Sequence, residues 1–502
     1  MKKHALIIGS GFGGLASACF LAKQGFAVTV VEKNEGIGGR ARVFSDKGFV
    51  FDMGPSWYLM PDVFEHFFSL MGEKVEDHLD LVKLGPSYRI FFKDSPVGKV
   101  DLYSDVPRDS QVFEKLEKGS AEQLKKYLEK SKFQYEVAYN SFMFKNYDSI
   151  FDFFTKRMMI DGMKLSVLTK MHKYVQRFFK TEEIQKIMEY QLVFLGSSPY
   201  NTPALYNLMS HVDFNMGVYY PKGGIWKVVE AIQNIAIKNG VRFLPSSPVR
   251  KILVNEAGEA TGVELAGGKT IEADIVISNA DIEHTERCLL PQEYRMTTDA
   301  EWDKKVMAPS AFILYLGLKD TVPSLNHHNL VFAKDWKKNF GEIFDTPRLP
   351  EDPSFYVCCP SKTDTTVAPP GKENLFVLVP IAARMDPTKK DLEDYKDHIL
   401  SIMEKEMDIP NLKNRIEYCR MYTGKDFSKD YNAYAGTALG VAHTLMQTAF
   451  FRTNNIHKNV KNLYFVGAGT NPGIGMPMCL ISAELLYKRV MGIKDPAPLK
   501  HL

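Results

Sequence analysis

The chain has 502 residues, enough for about three average domains or two large ones and for an extensive buried core. Hydrophobic residues make up 45% and charged residues 25%, an ordinary globular balance that excludes disordered, collagenous and polytopic membrane chains. The 63 basic and 60 acidic side chains leave a net charge of +3, too small to make nucleic acid the main partner.

Six cysteines are scattered without a CxxC pair, so neither a zinc site nor a disulfide framework is expected, and a reducing cytosolic compartment is the simplest reading. Met1-Lys2-Lys3 and the apolar stretch Ala5 to Ile8 begin like an export signal, but Gly9 interrupts it short of the roughly 7–15 apolar residues required. The longest apolar runs elsewhere, Ala311 to Leu318 and Leu375 to Ala383, fall short of the roughly 18 residues that span a bilayer. Attachment to one membrane face stays open.

Ala5-Leu6-Ile7-Ile8 predicts a buried parallel strand. Gly9-Ser10-Gly11-Phe12-Gly13-Gly14 then supplies a GxGxxG turn before a helix expected from about Leu15 to Gln24. Gly9 permits the tight turn, Gly11 lets the backbone approach a pyrophosphate, and Gly14 allows close helix–strand packing. The amides at the helix start face the phosphates. Val28 to Val31 predicts the second strand, and Glu32 at its end lies 18 residues beyond Gly14, near the spacing of the acid that binds ribose hydroxyls. This unit predicts dinucleotide binding without separating FAD from NAD. A second glycine turn, Gly36 to Arg42, carries Gly39 and Arg40 toward the far side of the same diphosphate, since a guanidinium fork suits phosphate oxygens. Arg42 reads rather as surface decoration. Gly48 to Asp52 predicts a strand leading to Gly54, Pro55 and Trp57, where glycine and proline suit close backbone approach to a planar ring.

On GSGFGG, VVEKN, GGRAR and FDMGPSW, the chain resembles the FAD-dependent glutathione-reductase-like superfamily and, within it, the bacterial and fungal phytoene desaturases. The resemblance continues through Phe194 to Pro199, Tyr220 to Gly224 and Phe355 to Asp364, and ends in Leu463 to Pro477. The expected fold is α/β: a Rossmann FAD domain formed by 1–85, 220–285 and 450–502, and a mixed-sheet substrate domain formed by 86–219 and 286–449. The latter includes a helical subdomain that can face a membrane. In the resembled family Val249 would give backbone contacts to adenine, and Ser278-Asn279-Ala280 would return beneath the diphosphate.

After about residue 86 the signals read as helical, with a capping box at Ser120 to Gln123. Strand signals return at 241–281, and Ala311 to Leu318, Leu330 to Ala333, Phe355 to Cys358 and Leu375 to Val379 predict a second sheet. Leu463 to Val466 predicts a strand, Gly467 to Pro477 a turn, and Cys479 to Val490 a helix. The backbone at Gly469, Gly475 and Met476 is expected against the flavin, where helix amides would stabilise negative charge on its pyrimidine. Ala468 stands where some superfamily members carry an acid.

Only one complete GxGxxG occurs, so electrons are expected from the substrate, with reoxidation by oxygen or a quinone. The resemblance implies a long apolar polyene substrate, phytoene toward lycopene, losing a hydride to flavin and a vicinal proton. Alternatives are a hydroxylated or C30 carotenoid, a carotenoid isomerase or saturase reaction, or a flavin-free polyene-binding protein. Trp57, Phe194 and Tyr219 are candidate tunnel residues. His327, His328 and His443 read as structural; no protein base and no metal site is expected. Phe151 to Lys180 mixes Phe, Met and Leu with seven basic residues, which suits a helix lying on an anionic bilayer at the inner face of the cell membrane.

Overall fold

The computed structural model describes residues 2–149, 169–448 and 451–502, apart from the side chains of 193–195. Strand β1 (His4–Ile8) and strand β2 (Ala27–Val31) pair in parallel across helix α1 (Phe12–Lys23). Both strands are nearly continuous apolar runs because both sheet faces are covered. Helix α1 starts at Phe12 rather than Leu15, because extended Gly11 serves as its N-cap and the small Gly13 and Gly14 fit inside the first turn. Every residue from Phe12 to Leu21 is buried, since α1 lies between the helices Trp226–Lys238 and Met476–Met491. A helix enclosed in this way needs no polar face.

The parallel sheet has five strands in the order Leu463–Phe465, Ile275–Ser278, β1, β2, Arg242–Leu244. A three-stranded antiparallel sheet, Val249–Val254, Ala260–Leu265 and Thr270–Glu272, packs beside it through Ile252, Val263 and Leu265. Residues from three distant parts of the sequence therefore build one sheet, and its loops meet at the carboxyl ends of the strands.

The second sheet has seven strands in the order Ile416–Tyr422, Ser310–Leu318, Glu373–Ile381, Phe355–Cys358, His328–Phe332, Tyr88–Phe92, Lys99–Leu102. Only the pairing of His328–Phe332 with Tyr88–Phe92 is parallel, so the sheet is mixed, as expected. The hairpin Tyr88–Leu102 corrects the helical reading after residue 86: Tyr88, Ile90 and Phe92 alternate inward on one face, a period of two. Along Ser310–Leu318 the same alternation divides two jobs. Phe312, Leu314, Leu316 and Leu318 pack beneath the helix Lys389–Glu406 through Tyr395, Ile399 and Met403. Ala311 and Ile313 turn the other way and form cavity wall. A one-residue register slip would exchange these sets.

Ser120 does not cap the helix Ser120–Ala138. Gly119 holds the cap position at φ 87°, and the Glu114 carboxylate accepts from the Gly119 and Ala121 amides at 2.9 and 3.2 Å. The C-terminal helix begins at Met476, three residues before Cys479, because Pro477 fits a first turn where no intrahelical N–H is required. Of the expected membrane-facing stretch, 151–168 lie outside the described residues; Lys170, Lys173, Arg177 and Lys180 are exposed beside buried Met171, Tyr174 and Val175. No helix among the described residues is long and apolar enough to cross a membrane.

Candidate functional site

The carboxyl ends of the parallel strands open into a cavity of about 1140 Å³ that continues along one face of the seven-stranded sheet. Its first wall is the β1–α1 turn. Gly9 adopts φ 92°, and its amide donates to Val31 O at 2.8 Å, locking the turn onto β2. A Cβ on Gly14 would stand 2.2 Å from Gly9 O, so only glycine lets α1 pack this close to the strand. A Cβ on Gly13 would stand 2.9 Å from Gly467 Cα, one on Gly39 would meet Gly11 Cα at 3.2 Å, and one on Gly54 would meet Arg40 O at 2.7 Å. Four backbone segments thus converge on one cradle.

Glu32 is buried, and its carboxylate is already engaged. Oε2 accepts from the Ser10 amide and hydroxyl at 2.9 and 2.7 Å, and Oε1 accepts from the Asn34 amide and side chain at 2.9 and 3.0 Å. A carboxylate offers about four acceptor sites, all filled here. Glu32 therefore fastens the glycine turn first, and a ribose hydroxyl would replace the Ser10 hydroxyl or the Asn34 side chain. Arg40 lines the cavity with an Nε that has no hydrogen-bond partner among the described residues, as a phosphate-facing guanidinium would. Beside it, burial holds the Asp281 carboxyl above the usual range, opposed by the Arg40 charge. Arg42 does not line the cavity, but it is not the surface decoration expected: its side chain is largely buried and pairs at 2.7 Å with Asp430, itself a wall residue.

The opposite wall is the loop from Val466 to Gly475 and the start of the helix Met476–Met491. Gly469, Gly475 and Met476 line the cavity, and the first-turn amides of this 16-residue helix have no intrahelical acceptor. Asn279 joins the two walls: its Nδ2 donates to Val466 O at 2.9 Å, and its Oδ1 lies where a Cβ on Gly11 would stand 2.8 Å away. Arg452 holds the loop from behind. Its buried guanidinium donates to Ala468 O at 2.5 Å and Thr470 O at 3.1 Å, and to Val441 O and Gln447 O at 3.3 and 3.4 Å. His443 Nε2 accepts from the Ile474 amide at 3.4 Å, and its ring stacks on Tyr206 with centroids 5.8 Å apart. Burial pushes His443 well below the ordinary imidazole range, so its ring is neutral.

The remaining wall is apolar. Ile313, Leu330, Phe332 and Leu378 of the large sheet face Leu205, Leu208 and Met209. The helix Trp336–Phe344 continues the wall with Trp336, Phe340 and Phe344. Trp57 and Tyr356, both on the cavity wall, meet with ring centroids 4.2 Å apart and planes tilted by 34°.

Of the expected site residues, Gly9, Gly11, Glu32, Gly39, Arg40, Gly54, Pro55, Trp57, Val249, Gly469, Gly475 and Met476 all line this one cavity. Gly14 lies behind it as packing. Tyr219 is not on the wall: its strand, Tyr219–Pro221, pairs with Leu81–Lys83, and its ring meets Tyr58 at 6.5 Å. The Phe194 side chain lies outside the described residues. His327 and His328 also lie off the wall, their Nδ1 atoms bonded to Thr363 Oγ1 and Tyr356 OH at 2.8 and 2.7 Å. With Cys358 they form a buried group whose ligand atoms fall within 4.8 Å, a proximity created by the His328–Cys358 strand register and invisible in sequence spacing. Arg452 and Asn279 are the functional positions that sequence reasoning missed or left without a side-chain role.

The chain belongs to the family of flavin containing amine oxidoreductases, whose model matches residues 12–485. Carotenoid 3,4-desaturase of Haloarcula japonica is 45% identical, over 95% of this chain and 96% of its own. The zeta-carotene-forming phytoene desaturase of Myxococcus xanthus is 37% identical over 97% and 94%, and the phytoene desaturase of Phycomyces blakesleeanus 36% identical over 97% and 85%. Among solved structures, an oxidoreductase from Methanosarcina mazei superposes with TM-score 0.62 at 17% identity, over 97% of this chain and all of that one. A putrescine oxidase superposes with TM-score 0.62 at 13% identity, over 98% and 99%; both share the fold. Within its family this chain is an FAD-dependent oxidoreductase of the carotenoid desaturase type.

Proposed function

We propose that the protein desaturates a long apolar carotenoid precursor, with phytoene toward lycopene as the leading substrate. The observation that carries this reading is the continuity of one cavity from the glycine cradle into an arm walled by Ile313, Leu330, Phe332, Leu378, Phe340 and Phe344. A hydrocarbon without polar groups is recognised by shape and by the water it displaces, at about 25 cal/mol per Å² of apolar surface removed from water.

The residues present fit FAD. The glycines of the β1–α1 turn, Gly39 and Gly54 leave backbone exposed where side chains would clash, and Arg40 offers a guanidinium Nε without a hydrogen-bond partner among the described residues. In this reading Gly9 and Gly11 bind the diphosphate with Arg40, Glu32 orients the ribose, and Val249 meets the adenine. Pro55, Gly469, Gly475 and Met476 position the ring system. When bound, FAD supplies the hydride acceptor. Trp57 and Tyr356 set the angle at which the polyene passes from the apolar arm to the cradle, and the apolar wall excludes water. Neutral His443 holds the loop through the Ile474 amide; no side chain on the wall is assigned as a base.

Oxygen or a quinone reoxidises the enzyme, which works at the inner face of the membrane that dissolves its substrate. In support, Leu445, Met446 and Phe451 are 42%, 64% and 47% exposed, and Leu445 and Phe451 also line the cavity, so the rim is apolar on both sides. A second reading, a carotenoid with an oxygenated end, is favoured by two buried wall donors without partners among the described residues, Trp336 Nε1 and Asn339 Nδ2. The test supplies FAD-loaded protein with liposomes holding phytoene, a C30 analogue or a hydroxylated carotenoid, each alone, and reads the polyene spectrum. Growth of longer-wavelength bands with phytoene supports the first reading. Conversion of the hydroxylated substrate alone selects the second, and no new bands with any of them reject both.

A further inference from the structure

Arg452 is a buried cation without a buried anion. Its relative exposure is 4%, and no carboxylate pairs with it among the described residues. Its four acceptors are main-chain carbonyls, two on the cavity loop at Ala468 and Thr470, and two on the segment carrying His443, at Val441 and Gln447. Of its ionisable neighbours, Tyr206 and Cys479 are neutral, since burial raises the Tyr206 hydroxyl and pushes the Cys479 thiol up to about 12, while Lys305 is a second cation, lowered by its own burial and by the Arg452 charge and offset by Glu286. Nor does any acidic side chain line the cavity among its wall residues from Ala438 to Leu485. A desolvated guanidinium costs several kcal/mol unless an opposite charge meets it. Four carbonyls take four of its five hydrogens and leave its charge.

We propose that Arg452 is a positioning residue whose charge is balanced by the electrons the flavin receives, so that it raises the reduction potential of bound FAD. The inference rests on the desaturase reading only for the direction of electron flow. Uptake of two electrons and one proton, whether delivered as a hydride or by a chemical reductant, leaves one negative charge on the flavin. That charge develops in a cavity where the adjacent loop is fixed to a guanidinium and the helix Met476–Met491 begins. Both are oriented before the reaction and need no rearrangement. Holding Ala468 and Thr470 by their carbonyls, Arg452 also fixes where the loop amides point. A lysine could supply the charge, but not the planar set of donors.

The test is the two-electron potential of bound FAD, measured against a reference dye with dithionite and no carotenoid, so it is independent of the substrate. Arg452→Gln is expected to shift the reduction equilibrium at least tenfold toward oxidised flavin, about 30 mV for a two-electron couple. Affinity for sulfite, which also places a negative charge on the flavin, is expected to weaken by a similar factor. Arg452→Lys keeps the potential near that of the wild type at about pH 7. Burial already lowers the Arg452 guanidinium to about 10, and a buried lysine loses its proton earlier still, so the Lys variant's potential falls away from the wild type's between about pH 7 and about pH 9. This second series carries the test should Arg452→Gln fail to fold. An unchanged potential in Arg452→Gln, or parallel pH profiles for Arg452→Lys and the wild type, overturns the proposal. So does weaker binding of oxidised FAD with the potential intact, which would assign the charge to the diphosphate.

Discussion

Replacing Gly14 by alanine isolates the closest contact in the cradle. The added Cβ would stand 2.2 Å from the Gly9 carbonyl oxygen, about 1.2 Å inside ordinary contact at 3.4 Å, and it would also meet Asn279 Oδ1 at 3.1 Å. Gly9 O is backbone, and its residue is held by the Gly9 amide to Val31 O bond, so the strain must be relieved by moving α1. Overpacking of this kind costs about 1–3 kcal/mol. The displaced element is the one whose first amides face the cavity, so most of the cost is expected in cofactor binding: about 5- to 150-fold in the FAD dissociation constant, at 1.4 kcal/mol per tenfold. The assay is stripping of the flavin followed by titration with FAD, read by quenching of flavin fluorescence, with thermal unfolding in parallel. Gly36→Ala is the control: its nearest atom would be Arg42 Cδ at 3.8 Å, and its φ is not positive. Gly14→Ala binding FAD within twofold of the wild type would refute the claim that this packing shapes the site.

Three further outcomes are expected. Glu32→Gln turns one of two fully used acceptor oxygens into a donor facing donors, leaving buried N–H groups of Ser10 or Asn34 unpaired. It should cost about 1–3 kcal/mol in stability with loss of bound FAD, and an unchanged melting temperature would show that the turn does not depend on this acid. Burial raises the Asp213 carboxyl from 3.8 to about 6, while Tyr190 and Gln191 donate to it. The folded state therefore holds a proton that the unfolded chain releases, and the stability gained from it is full below pH 3.8 and lost as the pH rises through about 6. Urea unfolding between about pH 4 and pH 7.5 should show the wild type losing up to about 3 kcal/mol that Asp213→Asn does not lose; parallel curves would contradict the assignment. Leu378→Trp places an indole in the apolar arm and should leave FAD affinity unchanged while carotenoid turnover falls at least tenfold. Full turnover would show that the polyene takes another route.

The βαβ unit was legible because its cause is local: two apolar runs, a glycine turn between them and an acid at the end of the second strand. The C-terminal loop was legible as a glycine- and proline-rich block, although the helix start was misplaced because Pro477 reads as a turn residue and is equally at home in a first helical turn. The hairpin at Tyr88–Leu102 was missed since its charged positions, Arg89, Lys93, Lys99 and Asp101, obscure the alternation that the fold buries. Ser120 looked like a cap, but the left-handed glycine before it carries that corner. Arg452 had no signal. It stands alone in Phe451-Arg452-Thr453, and its importance comes from carbonyls brought to it by two loops. The His327, His328 and Cys358 group is likewise a product of strand register. Pairing across a sheet and loops meeting at its edge are tertiary facts, and residues that act only through them leave no spacing to read.

The central claim is that one cavity presents a polyene chain to FAD. Its most direct measurement is an anaerobic single turnover: FAD-loaded protein mixed with phytoene liposomes, following the flavin band near 450 nm after extraction-corrected subtraction of the polyene bands. The account predicts one flavin reduced for each carbon–carbon double bond gained, with neither change when the liposomes carry a saturated C40 alkane. New double bonds without flavin reduction, or flavin reduction without new double bonds, would contradict it.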